Sequence, residues 1–124
     1  MPIRKVLVVD DSPTERFYLA DLLTKNGFLV LTADSGDDAM AKARDQKPDL
    51  ILMDVVMPGV NGFQVTRSIS RDPEIGHIPV IMCTSKTQET DRIWGMRQGA
   101  RDYVTKPINK AQMTAQLKKL GLIH

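Results

Sequence analysis

Cysteine and histidine are scarce in this sequence, which has one cysteine and two histidines among its 124 residues. A single cysteine excludes an internal disulfide, and these few side chains at these spacings cannot assemble a tetrahedral zinc site. Cys83 lies inside an apolar run, a position typical of a buried thiol in a reducing compartment. We therefore expect the protein to work in the cytoplasm.

Long apolar runs are also missing. No run approaches the roughly 20 residues that a membrane-spanning helix needs. The chain enters an apolar strand at Lys5 without a segment that resembles a secretory signal. We therefore expect no interaction with a membrane.

Neither sign of charge dominates, since 17 Lys and Arg residues stand against 15 Asp and Glu residues and leave a net charge of +2. A balance this small and this interspersed is not the electrostatic footprint of a nucleic-acid-binding domain, so we expect no nucleic-acid binding by this chain alone. The length is that of one domain. Residues 1–124 are predicted to form a single unit with no output domain.

Five short apolar runs alternate with five helical patterns along the chain. The strands are predicted at residues 5–9, 28–33, 50–53, 79–84 and 101–105. The helices are predicted at about residues 13–26, 36–45, 63–71, 87–98 and 110–120. This alternation favours right-handed crossovers and a single parallel sheet covered by helices on both faces, an α/β fold.

Capping signals mark several of the predicted helix starts. They are Ser12 with Glu15, Ser35 with Asp38, and Asn109 with Gln112. For the first of these we predict a reciprocal capping box, in which the Glu15 carboxylate accepts from the Ser12 backbone N–H. Gly99 is predicted to end the fourth helix.

Charged or hydroxyl side chains end or directly follow four of the five strands: Asp10 and Asp11, Asp54, Thr84, and Lys106. The carboxyl ends of parallel strands lie along one edge of a sheet, so these residues are candidates for one crevice. Each has an ordinary explanation by itself, because acids favour helix starts and threonine favours strands. Their coincidence at one edge favours a functional site.

This set of side chains suits phosphoryl chemistry. Three carboxylates in one partly buried site repel one another unless a cation neutralises them. Oxygen ligands with room for water suit Mg²⁺. Lys106 and Thr84 supply the positive charge and the hydroxyl donor that a phosphoryl group needs on its remaining oxygens. The set therefore indicates a site for an acyl phosphate formed on a carboxylate.

The order of these residues resembles the receiver domain of bacterial two-component response regulators. The similarity lies in Asp10-Asp11 after the first strand, Asp54 with Met57-Pro58-Gly59 after the third, Thr84-Ser85 after the fourth, and Lys106-Pro107 after the fifth. It covers essentially the whole chain. The resemblance implies a CheY-like, flavodoxin-like fold, a doubly wound sheet of five parallel strands in the order 2-1-3-4-5 with five helices.

The resemblance also implies a role for each residue of the site. Asp54 would accept a phosphoryl group from the phosphohistidine of a histidine kinase, while Thr84 and Lys106 would bond the phosphoryl oxygens. Mg²⁺, which Mn²⁺ can replace, would be bound by Asp11 and Asp54, by Asp10 through water, and by the backbone carbonyl of Val56. No enzyme activity is expected beyond self-phosphotransfer and autodephosphorylation.

Further positions match the switching machinery of the family. Thr84 and Tyr103 match the pair that moves on activation, in which Tyr103 turns into the space that Thr84 leaves. Ser85 lies where the family keeps a small residue for access. Pro107 lies in a bend that the family often makes with a cis peptide.

Two positions concern how long the phosphoryl group lasts. The resemblance places Val56 and Lys86 on either side of the path of the attacking water. Val56 is apolar and branched and cannot bond that water, so it predicts slow autodephosphorylation. Lys86 is long enough to contact either the phosphoryl oxygens or a neighbouring acid. It therefore does not predict whether autodephosphorylation is faster or slower.

Longer segments, whose match lies in loops and surface helices, narrow the resemblance. DDSPTE, MDVVMPGVNGFQ, QETDRIWGMRQGARDY and TKPIN are most similar to the stand-alone regulators of type IV pilus twitching motility, the PilH type. We expect a downstream protein to dock on the face of the fourth helix, fifth strand and fifth helix, around Lys86, Trp94, Arg97 and Tyr103. The expected oligomeric state is a monomer or a weak phosphorylation-dependent dimer.

Three other functions fit part of the pattern. The same site could serve as a phosphate sink for the kinase. A haloacid-dehalogenase-like phosphatase also forms an aspartyl phosphate, but it needs a second acid two residues after the nucleophile, where this chain has Val56. A flavodoxin-like or nucleotide-binding protein needs backbone N–H groups or a glycine-rich loop after the first strand, where this chain has Asp10-Asp11-Ser12-Pro13.

Overall fold

Strands and helices alternate through the chain. The computed structural model describes residues 4–55, 57, 61–84, 89–106 and 109–119, without the side chains at positions 84, 89–91 and 110. The strands are β1 (Lys5–Val9), β2 (Leu29–Ala33), β3 (Leu50–Met53), β4 (Val80–Thr84) and β5 (Asp102–Thr105). The helices are α1 (Pro13–Lys25), α2 (Gly36–Gln46), α3 (Gly62–Arg71), α4 (Glu89–Arg97) and α5 (Lys110–Lys119). The five predicted strands and five predicted helices are confirmed.

The boundaries differ from the predicted ones by one or two residues. β2 begins at Leu29, because the Phe28 backbone N–H still donates to the carbonyl of Leu23 and so belongs to the end of α1. Likewise β5 begins at Asp102, one residue after the predicted start. The predicted start of the fourth helix at 87 and the predicted end of the fifth at 120 lie outside the described residues.

The five strands form one parallel sheet in the order β2-β1-β3-β4-β5. This is the predicted doubly wound arrangement. β1 and β3 lie at its centre, and their last residues, Val9 and Met53, are partners in the register. The order reverses between these two strands, which is where open α/β sheets form a crevice at the carboxyl ends of their strands.

Alternate residues of the central strands pack on opposite faces of the sheet. On one face Val8, Leu52 and Cys83 pack with apolar residues of α1 and α5, among them Leu19, Leu23, Met113 and Leu117. On the other face Val9, Met53 and Met82 pack with residues of α2 and α3, among them Ala39, Ala43, Val65 and Ile69. Burial on both faces explains why these strands read as continuous apolar runs.

The cysteine belongs to this core. Cys83 is 1% exposed, and burial raises the pKa of its thiol to about 12. A thiol that stays protonated and covered is chemically inert, so Cys83 acts as a small core residue. Among the described residues, no helix has the length and apolar character required to cross a bilayer.

Helix caps follow the predicted positions with one correction. The side chains of Ser12 and Ser35 accept from backbone N–H groups three residues later, at 3.3 and 3.2 Å. The predicted capping box at Ser12 is wrong, because the Ser12 N–H donates to the Asp10 carboxylate at 3.0 Å rather than to Glu15. Because Asp10 already accepts this hydrogen bond, the Ser12 N–H is not left for Glu15. Reciprocal boxes instead join Asn109 with Gln112, where a cap was predicted, and Asn61 with Gln64, where none was predicted.

Candidate functional site

The register of the sheet brings the strand-end residues to one edge. Asp10 and Asp54 follow partnered residues of β1 and β3, and the Asp54 backbone N–H donates to the carbonyl of Val9 at 2.9 Å. Lys106 directly follows β5, whose last residue is the partner of Thr84 in β4. The prediction that these strand ends share one crevice is confirmed for the residues whose side chains are described, Asp10, Asp11, Asp54 and Lys106.

Three carboxylates form a compact acidic cluster. One oxygen from each of Asp10, Asp11 and Asp54 lies within 4.8 Å of the other two. Asp10 is 2% exposed and Asp54 is 8% exposed, whereas Asp11 is exposed. The cluster therefore opens to solvent on the Asp11 side, with two of its carboxylates largely cut off from water.

Lys106 is the cation of the cluster. Its Nζ donates to Asp10 Oδ2 at 2.5 Å and lies 3.5 Å from Asp54 Oδ1 and 3.6 Å from a carboxylate oxygen of Glu15. Burial by itself lowers the pKa of Lys106, but the hydrogen bond to Asp10 and the attraction of Asp54 outweigh it and hold the pKa above its usual value. Lys106 is therefore charged at neutral pH.

One lysine does not neutralise three acids, and the pKa of Asp54 is raised. Burial, followed by the charges of Asp10 and Asp11, raises the pKa of Asp54 from 3.8 to about 6, although Lys106 acts in the opposite direction. The cluster keeps negative charge that a further cation can offset. The atoms that it offers as metal ligands are all carboxylate oxygens, which are hard ligands. This is the ligand chemistry that Mg²⁺ prefers, so the residues present fit the ion.

Asp54→Asn is expected to stabilise the metal-free protein at neutral pH but not at pH 4. A carboxyl whose pKa is higher in the folded state favours folding while protonated, and this contribution is lost as the pH rises from about 4 to about 6. Asparagine has no charge to desolvate, so the variant should gain on the order of 2 kcal/mol at pH 7. Urea unfolding of both proteins in EDTA at pH 4 and pH 7 measures the difference. A gain of equal size at both pH values would show that charge is not its cause.

The other predicted site residues are described only in part. The backbone of Thr84 ends β4 at the crevice, but its side chain lies outside the described residues, as do Val56, Ser85, Lys86 and Pro107. Tyr103 lies in β5, half-buried, and packs against the core on the face of α2 and α3.

Two residues of the first turn of α1 belong to the site and were not predicted there. Glu15 places its carboxylate near Lys106, and the Arg16 guanidinium donates to the Asp10 backbone carbonyl at 2.8 Å. Glu15 thus lies beside the lysine that pairs with the acidic cluster, and Arg16 binds the backbone of Asp10. Their signal in the sequence is their place in the first turn of a helix that begins just after the strand-end acids.

The start of α3 is pressed against the backbone of Asp54. The Gly62 N–H donates to the Val55 carbonyl at 2.9 Å, and a Cβ at position 62 would lie 1.9 Å from the Asp54 carbonyl oxygen. Only glycine permits this approach. The strand end that carries Asp54 is thereby held directly by a helix rather than by a free loop.

Comparison with known proteins gives a consistent family. Residues 6–118 match the family of the response regulator receiver domain. The chain is 57% identical over 106 residues to the protein PilH of Pseudomonas aeruginosa, covering 86% of this chain and 88% of PilH. It is 41% identical over 116 residues to the response regulator PleD of Caulobacter vibrioides, covering 94% of this chain and 26% of PleD.

A solved structure agrees in fold over nearly the same span. The chemotaxis protein CheY4 of Vibrio cholerae superposes with a TM-score of 0.89 at 31% identity, covering 95% of this chain and 98% of CheY4. Fold, strand-end residues and sequence similarity point to one family. The chain belongs to the response regulator receiver domain family and is a response regulator activated by phosphorylation.

Proposed function

We propose that Asp54 is the phosphoacceptor of a Mg²⁺-dependent switch that a histidine kinase charges. The supporting observation is the juxtaposition of three carboxylates, two of them nearly buried, with Lys106 at the switch point of the sheet. The Asp54 carboxylate is the nucleophile, and Lys106 together with a cation held by the acidic cluster can offset the negative charge that the phosphoryl group adds.

The transfer step is a displacement at phosphorus. An oxygen of Asp54 forms the new P–O bond while the P–N bond of the phosphohistidine breaks, and the imidazole nitrogen keeps the electron pair. Lys106 lies 3.5 Å from Asp54 and is placed to pair with a phosphoryl oxygen, at the expense of part of its bond to Asp10. Thr84 is the proposed hydroxyl donor to another oxygen.

The proposed ligands of the ion are Asp11, Asp54 and the backbone carbonyl of Val56, with Asp10 bound through water. Mn²⁺ is expected to substitute for Mg²⁺. Bound there, the ion offsets negative charge on the transferring group. Neighbouring residues fix the positions of the two buried acids. The Asp10 carboxylate accepts from Lys106 and from the Ser12 N–H, and the Asp54 backbone N–H donates to the carbonyl of Val9. Asp11 is the exposed member of the cluster and would be the carboxylate most accessible to a hydrated ion.

Phosphorylation is proposed to change the protein surface to which a downstream protein binds. Thr84 and Tyr103 are the proposed switch pair, with Ser85, Lys86 and Pro107 as modulating residues and the α4–β5–α5 face as the docking site of a downstream protein. Similarity to PilH over 88% of its length supports a regulator of twitching motility. The cytoplasm is its proposed location. A phosphate sink for the same kinase would use the same site.

Incubation with acetyl phosphate and Mg²⁺ tests the proposal. Intact-mass spectrometry should show the added mass of one phosphoryl group, and reduction with borohydride followed by peptide mapping should place it on Asp54. EDTA should suppress the adduct. A phosphoryl group mapped to another residue, or an adduct that forms equally well in EDTA, would overturn the assignment.

A further inference from the structure

A groove runs between α3 and α4, away from the acidic cluster. It consists of two adjoining depressions of about 310 and 300 Å³, which share Arg67, Trp94 and Gln98 in their walls. Ser70 closes the floor at one end, where its hydroxyl donates to the carbonyl of Gln98 at 3.0 Å. The helices are thus tied together below the groove, while the groove itself stays open.

Trp94 and Arg97 face this groove. Both residues were predicted to lie on the α4–β5–α5 face, but they lie beside Arg67 and Arg71 of α3. The side of α4 that faces β5 is occupied at Gly95, where a Cβ would lie 3.4 Å from the Tyr103 ring. Helical periodicity alone did not distinguish these two sides.

The walls of the groove are positively charged. Arg67, Arg71 and Arg97 are all exposed, and the groove is lined by no acid among the residues that the structure describes. Within that same part of the chain none of the three arginines forms an ion pair. The nearest acid in sequence, Asp72, is held by Arg44 at 3.0 Å instead. Three uncompensated guanidinium groups therefore surround one depression.

An apolar anchor point lies between these charges. Trp94 is 50% exposed and lines both depressions, and Phe63, 8% exposed, lines the adjoining one together with Trp94 and Arg67. Tryptophan and arginine are the residues most enriched where protein interfaces concentrate their binding energy. An aromatic surface flanked by arginines is matched by an apolar side chain flanked by carboxylates.

We propose that the α3–α4 groove is a docking site for an acidic peptide segment of a partner protein, with an apolar side chain seated on Trp94. The carboxylates of that segment pair with Arg67, Arg71 and Arg97. The site is separate from the α4–β5–α5 face and does not depend on phosphoryl transfer. Charge complementarity selects the partner, since the groove offers only cationic and neutral side chains among its described residues.

A peptide is favoured over nucleic acid because three arginines in one groove do not make an extended basic surface. The net charge of the chain is only +2, and Trp94 is its single tryptophan, so there is no basic surface with a series of aromatic platforms along it. A segment of a few residues fits the observed volume, whereas a nucleic-acid strand needs a longer track.

The single tryptophan makes binding directly measurable. The probe is an eight-residue peptide of glutamates with two central leucines, titrated into unphosphorylated protein. Trp94 emission should shift to shorter wavelength and saturate, because the leucines cover its exposed face. A peptide with serines in place of the leucines should bind more weakly and give no shift.

Matched variants test the role of the arginines. Arg67→Gln, Arg71→Gln and Arg97→Gln combined should weaken binding about tenfold. Lys25→Gln, Lys118→Gln and Lys119→Gln combined make the same change in charge on other helices and should leave affinity within about twofold. Circular dichroism melts check that both variants are folded.

Three results would overturn the proposal. The first is no saturable shift with the leucine peptide, and the second is equal weakening by the two triple variants. The third is binding of an oligothymidylate as tight as that of the peptide, which would indicate a site for nucleic acid. None of them bears on the phosphorylation of Asp54, because no phosphoryl donor is present.

Discussion

Asp54→Asn is expected to reduce phosphoryl labelling by acetyl phosphate to background. The amide is nearly the same size as the carboxylate but is too weak a nucleophile to form an acyl phosphate. The fold should persist, because the substitution removes a charge that burial already disfavours. Labelling is measured by intact mass at fixed Mg²⁺ and fixed donor concentration.

The matched control is Asp21→Asn. Asp21 is a surface acid of α1 whose partner is Lys25, one helical turn away, so its loss should leave labelling unchanged. Both proteins are compared at the same folded fraction, determined by thermal melting. Undiminished labelling of the Asp54 variant would show that the acceptor lies elsewhere.

Asp11→Ala is expected to weaken Mg²⁺ binding by about 10- to 100-fold, since it removes a carboxylate from a site with few protein ligands. Asp11 is exposed, so little of the core depends on it. The readout is the rise in Tm on adding Mg²⁺, which follows the affinity of the folded state for the ion. In the variant this rise should nearly disappear at concentrations that saturate the wild type.

Asp37→Ala provides the comparison for the metal experiment. Asp37 is an acid in the first turn of α2 and lies outside the cluster. Its variant should show the wild-type response to Mg²⁺. An equal response in the Asp11 variant would remove Asp11 from the ligand set, while leaving Asp54 untouched as acceptor.

The sheet edge could be predicted from residue types because two independent patterns coincide there. Apolar runs such as Leu50–Met53 mark strands buried on both faces, and an ionisable residue directly after such a run has to lie at the strand's end. In a parallel sheet all such ends share an edge. The contacts of Asp10, Asp54 and Lys106 follow from this geometry.

The details that were missed depend on competition between neighbours. Glu15 has the spacing of a capping residue, but Asp10 takes the N–H that it was expected to accept, and Lys106 lies near its carboxylate. Lys106 lies far away in sequence and meets Glu15 only after the sheet has formed, whereas Asp10 lies two residues before Ser12, outside the helix. Spacing along one helix contains no information about them.

The direction of Trp94 was missed for a related reason. α4 has apolar residues on more than one side, with Ile93, Trp94 and Met96 all partly exposed. A helix of this kind has no single apolar stripe to show which neighbour it faces. Its rotation is decided by packing at Gly95 against Phe63 and Tyr103, two residues on different elements.

The contact between Gly62 and the backbone of Asp54 has a genetic consequence. No other amino acid fits at this position without moving either α3 or the strand end, because its Cβ would overlap the Asp54 carbonyl oxygen. No change in the first or second base of a glycine codon leaves glycine in place. Missense alleles at codon 62 are therefore expected to displace the strand end that carries the acceptor, even though Gly62 has no side chain to take part in the reaction.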